Sequence, residues 1–231
     1  MSSTIMAISA HPGDALFTKG AAVAQHIHDG ATGVFVSLTR GEKGNPKDIS
    51  SQRYGEMQME ATEKAAKMLG AEVEVLDYPD AQLPWTEEAS LKVCALIRKH
   101  KPQVVITHWS GTWHKDHQNC HGIARDAIFF AELPGIPGAP PHKVEKLFYA
   151  ENWEDAADFQ VDTYLDITPV YKRWLEACDV FPMWRGQTGF FRYDDYYRSL
   201  AVMRGCLSRF DFAVALMRDP HERLFRVKSL G

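Results

Sequence analysis

The sequence predicts an α/β protein with a Rossmann-like, doubly wound and mostly parallel sheet that carries helices on both faces. Strand-like and helix-like segments alternate through the first half of the 231-residue chain. That order favours parallel strands joined by crossover helices. A GxGxxG turn does not follow the first strand, so we do not expect the sheet to bind a dinucleotide.

The first half contains four predicted strands. Residues 4–10, 33–38, Glu72–Tyr78 and 103–109 are short and rich in apolar or β-branched residues. In the expected strand order the first and fourth strands are neighbours, and ligands bind beyond their carboxyl ends.

Three helices are predicted between these strands. Residues 18–29 end at a glycine, and Ser51–Leu69 has apolar residues at spacings of three and four before Gly70. Residues 86–99 begin at Thr86, a favoured cap residue.

The second half is less regular. Residues 143–151 and 163–167 are predicted strands, and residues 169–180 and Tyr193–Ser208 are predicted helices. Neither an internal repeat nor a clear linker interrupts the pattern, so we expect a single domain over residues 1–231.

The composition excludes several classes of protein. Hydrophobic residues make up 45% and charged residues 24%, which is typical of a folded globular chain, and the net charge of −4 disfavours nucleic acid or an anionic membrane as partner. The four cysteines form no CxxC pair, and neither a basic leader nor an apolar stretch of about 18 residues is present. We therefore expect reduced thiols and a cytoplasmic protein.

Potential metal ligands follow two of the predicted strands. His11 and Asp14 come just after the first strand, and Asp116 and His117 come after the fourth. Two histidines and one carboxylate with an open fourth position form a catalytic zinc site, in which bound water ionises near neutral pH. We predict His11, Asp14 and His117 as the metal ligands. Zinc is the default ion, and iron, cobalt or manganese would fit the same ligands.

Titratable side chains are dense around the second ligand motif. His114, His117 and His121 are three and four residues apart, and Cys120 lies beside them. A structural interpretation is that some of these side chains only cap and line the start of a helix. Their position opposite a second His–Asp pair favours a functional site.

Three segments resemble one enzyme family. Residues 9–14 (SAHPGD) resemble the AHPDD motif of the PIG-L/LmbE family of zinc-dependent N-deacetylases. Residues 114–117 (HKDH) resemble its HxDH motif, and residues 38–44 (LTRGEKG) resemble its T-x-G-E-x-G segment. The resemblance covers most of the chain and implies an LmbE-like fold and a homo-oligomer.

The resemblance also implies roles for single residues. His11, Asp14 and His117 match the family's metal ligands. His114 matches the histidine that stabilises the oxyanion and protonates the leaving group. Asp116 matches a carboxylate that orients that histidine.

Gly13 is an important departure from the family pattern. The family's general base is the first aspartate of HPDD, and this chain has Gly13 at that position. Candidates to replace it are Asp116, Glu42 and His114. Glu42 follows the second strand, next to the first in the expected sheet, and a solvated loop carboxylate is an equally good interpretation of it.

The leading hypothesis is a zinc-dependent amidohydrolase. Metal-activated water would cleave an N-acyl (acetamido) bond of a small sugar-like substrate. The alternative is a metal-dependent hydratase acting on an unsaturated polycarboxylate, similar to 4-oxalomesaconate hydratase, with Arg40 and Lys43 holding carboxylates. A third hypothesis is a binding protein with a relict site.

Three tryptophans have open interpretations. Trp109, Trp113 and Trp153 lie near the ends of predicted strands, where they would line a substrate pocket. Ordinary packing in the core or in loops explains each of them equally well.

Overall fold

The computed structural model describes residues 3–155, 157–186 and 191–222. The strands are β1 Thr4–Ser9, β2 Thr32–Thr39, β3 Glu72–Tyr78, β4 Val104–Thr107, β5 Lys146–Ala150, β6 Thr163–Asp166 and β7 Ala213–Arg218. The α-helices are α1 Pro12–Phe17, α2 Gly20–His28, α3 Ser51–Leu69, α4 Glu87–His100, α5 Lys115–Glu132, α6 Tyr171–Cys178 and α7 Tyr193–Ser208. Short 3-10 turns lie at Glu42–Gly44 and Pro220–Glu222.

The strands form one sheet in the order β3-β2-β1-β4-β5-β7-β6. The first five strands of that order are parallel, and β7 is antiparallel to both β5 and β6. The predicted pairing of the first and fourth strands is confirmed, because Ile5 pairs with Val104 in a parallel register. The mostly parallel α/β sheet is also confirmed.

Helices cover both faces of the sheet. Successive side chains of a strand point to opposite faces. In β1, Ile5 and Ala7 therefore join one apolar core while Met6 and Ile8 join the other. The first core contains residues of α1, α2, α3, α6 and α7, and the second contains residues of α4 and α5.

The first helical segment differs from the prediction. The helix predicted over residues 18–29 is present as α2, and the structure adds α1 before it, which was not predicted. Pro12 is the first residue of α1, where its missing N–H costs no hydrogen bond, so the helix starts directly after His11. The backbone N–H and the hydroxyl of Thr18 both donate to the carbonyl of Asp14, which closes α1.

The strand β7 was not predicted. It pairs with Phe148, Tyr149 and Ala150 on one side and with β6 on the other. These partners lie far away in sequence, so long-range pairing rather than local pattern determines the strand.

The carboxyl ends of β3, β2, β1, β4, β5 and β6 lie at one edge of the sheet, because β5 and β6 are both antiparallel to β7. The carboxyl ends of β1 and β4 lie side by side there, and α1 and α5 begin just beyond them. Within the described ranges, every helix is too short or too polar to cross a membrane. The organisation of residues 1–231 as one domain stays a prediction.

Candidate metal and active site

His11, Asp14 and His117 meet beyond the carboxyl ends of β1 and β4. His11 has an extended backbone and caps α1, Asp14 lies in the first turn of α1, and His117 lies in the first turn of α5. All three residues line one cavity of about 280 Å³. The parallel pairing of β1 with β4 therefore brings together residues that are more than 100 positions apart.

The three candidate ligand atoms form a nearly equilateral triangle. Oδ2 of Asp14 lies 2.9 Å from Nδ1 of His11 and 2.9 Å from Nε2 of His117. The two nitrogens are 3.2 Å apart. A tetrahedral ion with bonds of about 2.0–2.1 Å separates its ligand atoms by roughly 3.3 Å. The predicted donor set therefore fits a divalent ion.

Two further histidines lie close to the triangle, and in each of them a backbone N–H occupies one ring nitrogen. Nε2 of His108 accepts a hydrogen bond from the N–H of Ala10 at 3.1 Å. Nδ1 of His114 accepts from the N–H of Asp116 at 3.2 Å. Both histidines can join ligand-sized groups with His117, but these hydrogen bonds favour His11, Asp14 and His117 as the donor set.

Carboxylates hold the outer nitrogens of both ligand histidines. Nε2 of His11 lies 3.0 Å from Oδ1 of Asp80 and 3.5 Å from Oδ2 of Asp116. Nδ1 of His117 lies 2.8 Å from Oε2 of the buried Glu154. A carboxylate on the outer nitrogen fixes the tautomer and orientation of a metal-binding histidine.

Burial and pairing set the charges of these groups. Burial alone would lower the pKa of His11, but hydrogen bonds with Asp116, Asp14 and Asp80 outweigh it and raise the pKa well above its usual range. Burial would raise the pKa of Asp14, but the charge of His117 and the hydrogen bonds from His11 and His117 hold it well below the usual range. Asp14 is therefore an anionic ligand at neutral pH.

The role expected for Asp116 needs a correction. Its carboxylate does not orient His114; it accepts hydrogen bonds from the N–H groups of Ala81 and Leu83 at 2.7 and 3.3 Å and faces His11. Only the backbone N–H of Asp116 contacts the His114 ring. Asp116 therefore orients His11 and holds the turn after β3.

His114 caps α5 and lines the cavity. Its ring stacks on His117 with centroids 4.3 Å apart, and His117 stacks on His108 at 4.0 Å. Burial, followed by the positive charges of His117 and His11, lowers the pKa of His114. A neutral ring whose Nδ1 accepts a hydrogen bond carries its proton on Nε2. His114 is therefore a hydrogen-bond donor toward the cavity.

Glu42 holds two loops together. Its Oε1 accepts from the N–H of Asp80 at 2.9 Å, and the carboxylate of Asp80 accepts from the N–H of Lys43 at 2.8 Å. Glu42 is not among the described residues that line the cavity, whereas Asp80 and Lys43 are. Its contacts favour a structural role over that of the general base.

An aromatic ring lies over Gly13. Gly13 and Phe17 both line the cavity, one helical turn apart. A Cβ at position 13 would lie 3.2 Å from Cε2 of Phe17. The phenyl ring also contacts Phe181, Trp184 and Tyr193. The position of the family's base is therefore apolar in this protein.

Sequence reasoning missed Asp80, His108 and Glu154. Each lies just past the carboxyl end of a strand, namely β3, β4 and β5. That position was the signal that identified His11 and His117, and it was available for these residues too. What the sequence did not show is which strands lie close enough to share a site.

Comparisons with known proteins agree with this geometry. The family model described as PIG-L, GlcNAc-PI de-N-acetylase, matches residues 6–128, which is more than half of the chain. The diacetylchitobiose deacetylase of Thermococcus kodakarensis is 24% identical over 94% of this chain and 83% of its own length. The 4-oxalmesaconate hydratase of Pseudomonas putida is 26% identical over 93% of this chain and 84% of its own.

Solved structures share the fold. The structure of GalB, the 4-carboxy-2-hydroxymuconate hydratase from Pseudomonas putida, has a TM-score of 0.85 at 23% identity and covers 99% of both chains. The N,N'-diacetylchitobiose deacetylase of Pyrococcus horikoshii has a TM-score of 0.81 at 19% identity and covers 95% of this chain and 84% of its own. The relatives thus include enzymes of two reaction classes on one fold.

Proposed function

The chain belongs to the PIG-L family, and from that premise we propose that it is a metal-dependent hydrolase that removes an N-acyl group from a small, sugar-like substrate. One observation carries the proposal. The ligand triangle of His11, Asp14 and His117 lies beside the neutral, proton-carrying His114 in one cavity. These are the parts that an amide hydrolase needs to bind a carbonyl and to stabilise the negative charge that develops on its oxygen.

We propose that the triangle holds a divalent ion, with zinc as the default for a His₂Asp donor set. When bound, such an ion supplies the chemistry that activates water and polarises a carbonyl oxygen. Asp80 and Asp116 orient His11, and Glu154 orients His117. The anionic Asp14 balances part of the charge of the ion.

His114 acts on the substrate directly in this proposal. Its Nε2–H donates a hydrogen bond to the carbonyl oxygen, where negative charge develops as the carbonyl carbon becomes tetrahedral. The neutral ring does not supply the proton that the leaving amine needs as the C–N bond breaks, because loss of the Nε2 proton would leave an imidazolate; that proton comes from the attacking water. The stacking on His117 and the hydrogen bond from the N–H of Asp116 hold the ring in place for this hydrogen bond to the oxyanion.

A general base is the part that the described residues do not supply. Asp80 and Glu154 line the cavity, but each contacts the outer nitrogen of a ligand histidine. Gly13 and the Phe17 ring offer no proton acceptor at the family position. Since a general base typically contributes about 10²- to 10⁴-fold, we expect slow turnover of simple N-acetyl sugars.

The apolar position 13 also favours a second candidate, a hydratase of unsaturated polycarboxylates. A relative of that activity is 26% identical to this chain. Such a substrate needs at least two basic side chains to hold its carboxylates. Lys43 lines the cavity, but the guanidinium of Arg40 pairs with Asp77 at 2.9 Å and is absent from the described lining. This shortage of basic groups keeps the hydrolase as the preferred proposal.

A two-panel screen tests the proposal. Zinc-loaded protein is incubated with N-acetylated sugars, with amine release as the readout, and with unsaturated polycarboxylates, with loss of the double-bond absorbance as the readout. Amine release supports the hydrolase. Loss of absorbance without amine release would establish the hydratase instead. Assembly as a homo-oligomer and a cytoplasmic location stay predictions, and a small-molecule substrate is consistent with the names of the relatives.

A further inference from the structure

A row of aromatic side chains borders the cavity on one side. The ring centroids of Trp113 and Trp153 lie 5.8 Å apart, and those of Trp153 and Phe191 lie 4.1 Å apart in a stacked arrangement. Phe191 contacts Tyr193 at 4.8 Å. We call Trp113, Trp153, Phe191 and Tyr193 the aromatic rim.

The aromatic rim is continuous with the active site at both ends. Tyr193 lines the cavity. At the other end, the centroid of Trp113 lies 5.8 Å from that of His114, which also lines the cavity. Trp113 is therefore next to a residue of the cavity wall.

Trp113 is exposed on a backbone that is held in place. Trp113 is 60% exposed to solvent. The N–H of Trp113 donates to the carbonyl of Glu154 at 3.4 Å, and the neighbouring Thr112 forms an antiparallel bridge with Asp155. Gln118 donates to the carbonyl of Thr112 at 2.6 Å. The loop is thus fixed from two sides while the indole, an apolar ring, faces water.

A fixed and exposed indole suits the flat face of another ring. Aromatic faces bind aryl rings by offset stacking and bind other apolar ring faces by close contact. The cavity of about 280 Å³ is small for a ligand site, so a second ring of a larger substrate has to lie outside it. We propose that the aromatic rim, with Trp113 as its main contact, is a subsite for a second ring on the amine side of the substrate.

The assignment to the amine side rests on the proposed function. In that proposal the Nε2–H of His114 binds the carbonyl oxygen, so the C–N bond and the amine-bearing part of the substrate lie next to His114. Trp113 precedes His114 in the chain and contacts its ring. A ring attached to the amine-bearing sugar would therefore lie on Trp113, whereas the acyl group points into the cavity.

Binding of the amine products tests the subsite without turnover. Calorimetry on zinc-loaded protein compares three ligands: a free amino sugar, a disaccharide of that sugar and its phenyl glycoside. The wild type is expected to bind the two-ring ligands about 3- to 10-fold more tightly than the free sugar. A gain for the disaccharide alone indicates a sugar ring as the natural occupant, and a gain for the phenyl glycoside alone indicates an aryl ring.

The Trp113→Ala variant should remove this preference, and Trp113→Phe should keep part of it. Trp85→Phe is the matched control, because Trp85 is similarly exposed at 56% and binds Asp126 through its indole N–H. The control should bind all three ligands as the wild type does. Thermal unfolding of each variant checks that it is folded.

Two results would overturn the subsite. One is an equal affinity of wild-type protein for one-ring and two-ring ligands. The other is a preference for two rings that survives in Trp113→Ala; if that variant also changes its assembly size on gel filtration, the rim is a contact between chains. A ring-dependent affinity without release of amine from any N-acetyl substrate would contradict the proposed hydrolase and leave the subsite supported.

Discussion

Gly13 is the position where one substitution separates the two proposed reactions. Gly13 lines the cavity beside His11 and Asp14. If the protein is an N-acyl hydrolase that lacks its base, Gly13→Asp supplies a carboxylate at the family position. The general-base contribution of about 10²- to 10⁴-fold then predicts a rise in kcat/KM of at least about 100-fold on an N-acetyl amino sugar.

The structure also gives the stability cost of that variant. The new Cβ would lie 3.2 Å from Cε2 of Phe17, so the phenyl ring has to move by a few tenths of an ångström. Overpacking of this kind costs about 1–3 kcal/mol. Removing a glycine from a helix offsets about 0.5–1 kcal/mol of this cost. A negative charge in the first helical turn offsets about 0.3–1 kcal/mol more. A net loss of about 2 kcal/mol or less leaves the variant folded.

Gly13→Asn is the matched control, because asparagine has the same shape as aspartate and no basic oxygen at neutral pH. The assay measures release of amine by zinc-loaded protein, together with metal content and thermal unfolding. The hydrolase proposal requires the kcat/KM of Gly13→Asp to exceed that of Gly13→Asn by at least about 100-fold. Equal rates in two folded, metal-loaded variants would refute the reasoning and indicate that Gly13 marks a change of reaction class.

Three further substitutions test the groups around the metal. His117→Ala removes one of three ligands and is expected to abolish stoichiometric zinc binding, measured by metal analysis after dialysis; retained zinc would contradict the donor set. Glu154→Gln keeps the shape but weakens the hold on His117, and should lower the affinity for zinc about 10- to 100-fold in a competition titration with a chelator; an unchanged affinity would mean that Glu154 does not orient His117. Burial raises the pKa of Asp155 to about 7. A raised carboxyl pKa means that the native state holds its proton when the unfolded state has lost it, so stability falls as pH rises from about 4 to 7. Denaturant unfolding of metal-free Asp155→Asn should show a smaller fall over that range than the wild type, and parallel curves would contradict the shift.

The proximity of His11, Asp14 and His117 is the part of the candidate site that sequence reasoning located, and their role as metal ligands stays a prediction. The order of strands and helices placed β1 beside β4, and this placement alone was enough to bring His11 and Asp14 near His117. The structure places their ligand atoms within 3.2 Å of one another. Strand order determines which residues meet. The alternation of strands and helices over the first half of the chain predicts that order.

The contacts around the triangle could not be predicted in the same way. Asp116 was expected to orient His114, but its carboxylate turns toward the backbone of Ala81 and Leu83 and toward His11. The direction of a side chain at a helix start depends on which loop packs against it, and loop paths leave little trace in a single sequence. The strand β7 was missed for a related reason, because its pairing partners are distant in the chain.

The distribution of carboxylates argues against a relict binding site. Three separate carboxylates, from the loops after β3 and β5 and from the start of α5, hold the outer nitrogens of the two ligand histidines. Burying charged groups is costly unless they are paired. Here Asp80 and Asp116 pair with His11, and Glu154 pairs with His117. A site without a function would gain stability if these buried charges were replaced by apolar residues. The protein instead combines carboxylates around both candidate ligand histidines with an apolar position 13. That combination favours the proposed metal enzyme, with Gly13 altering its reaction, over a relict site.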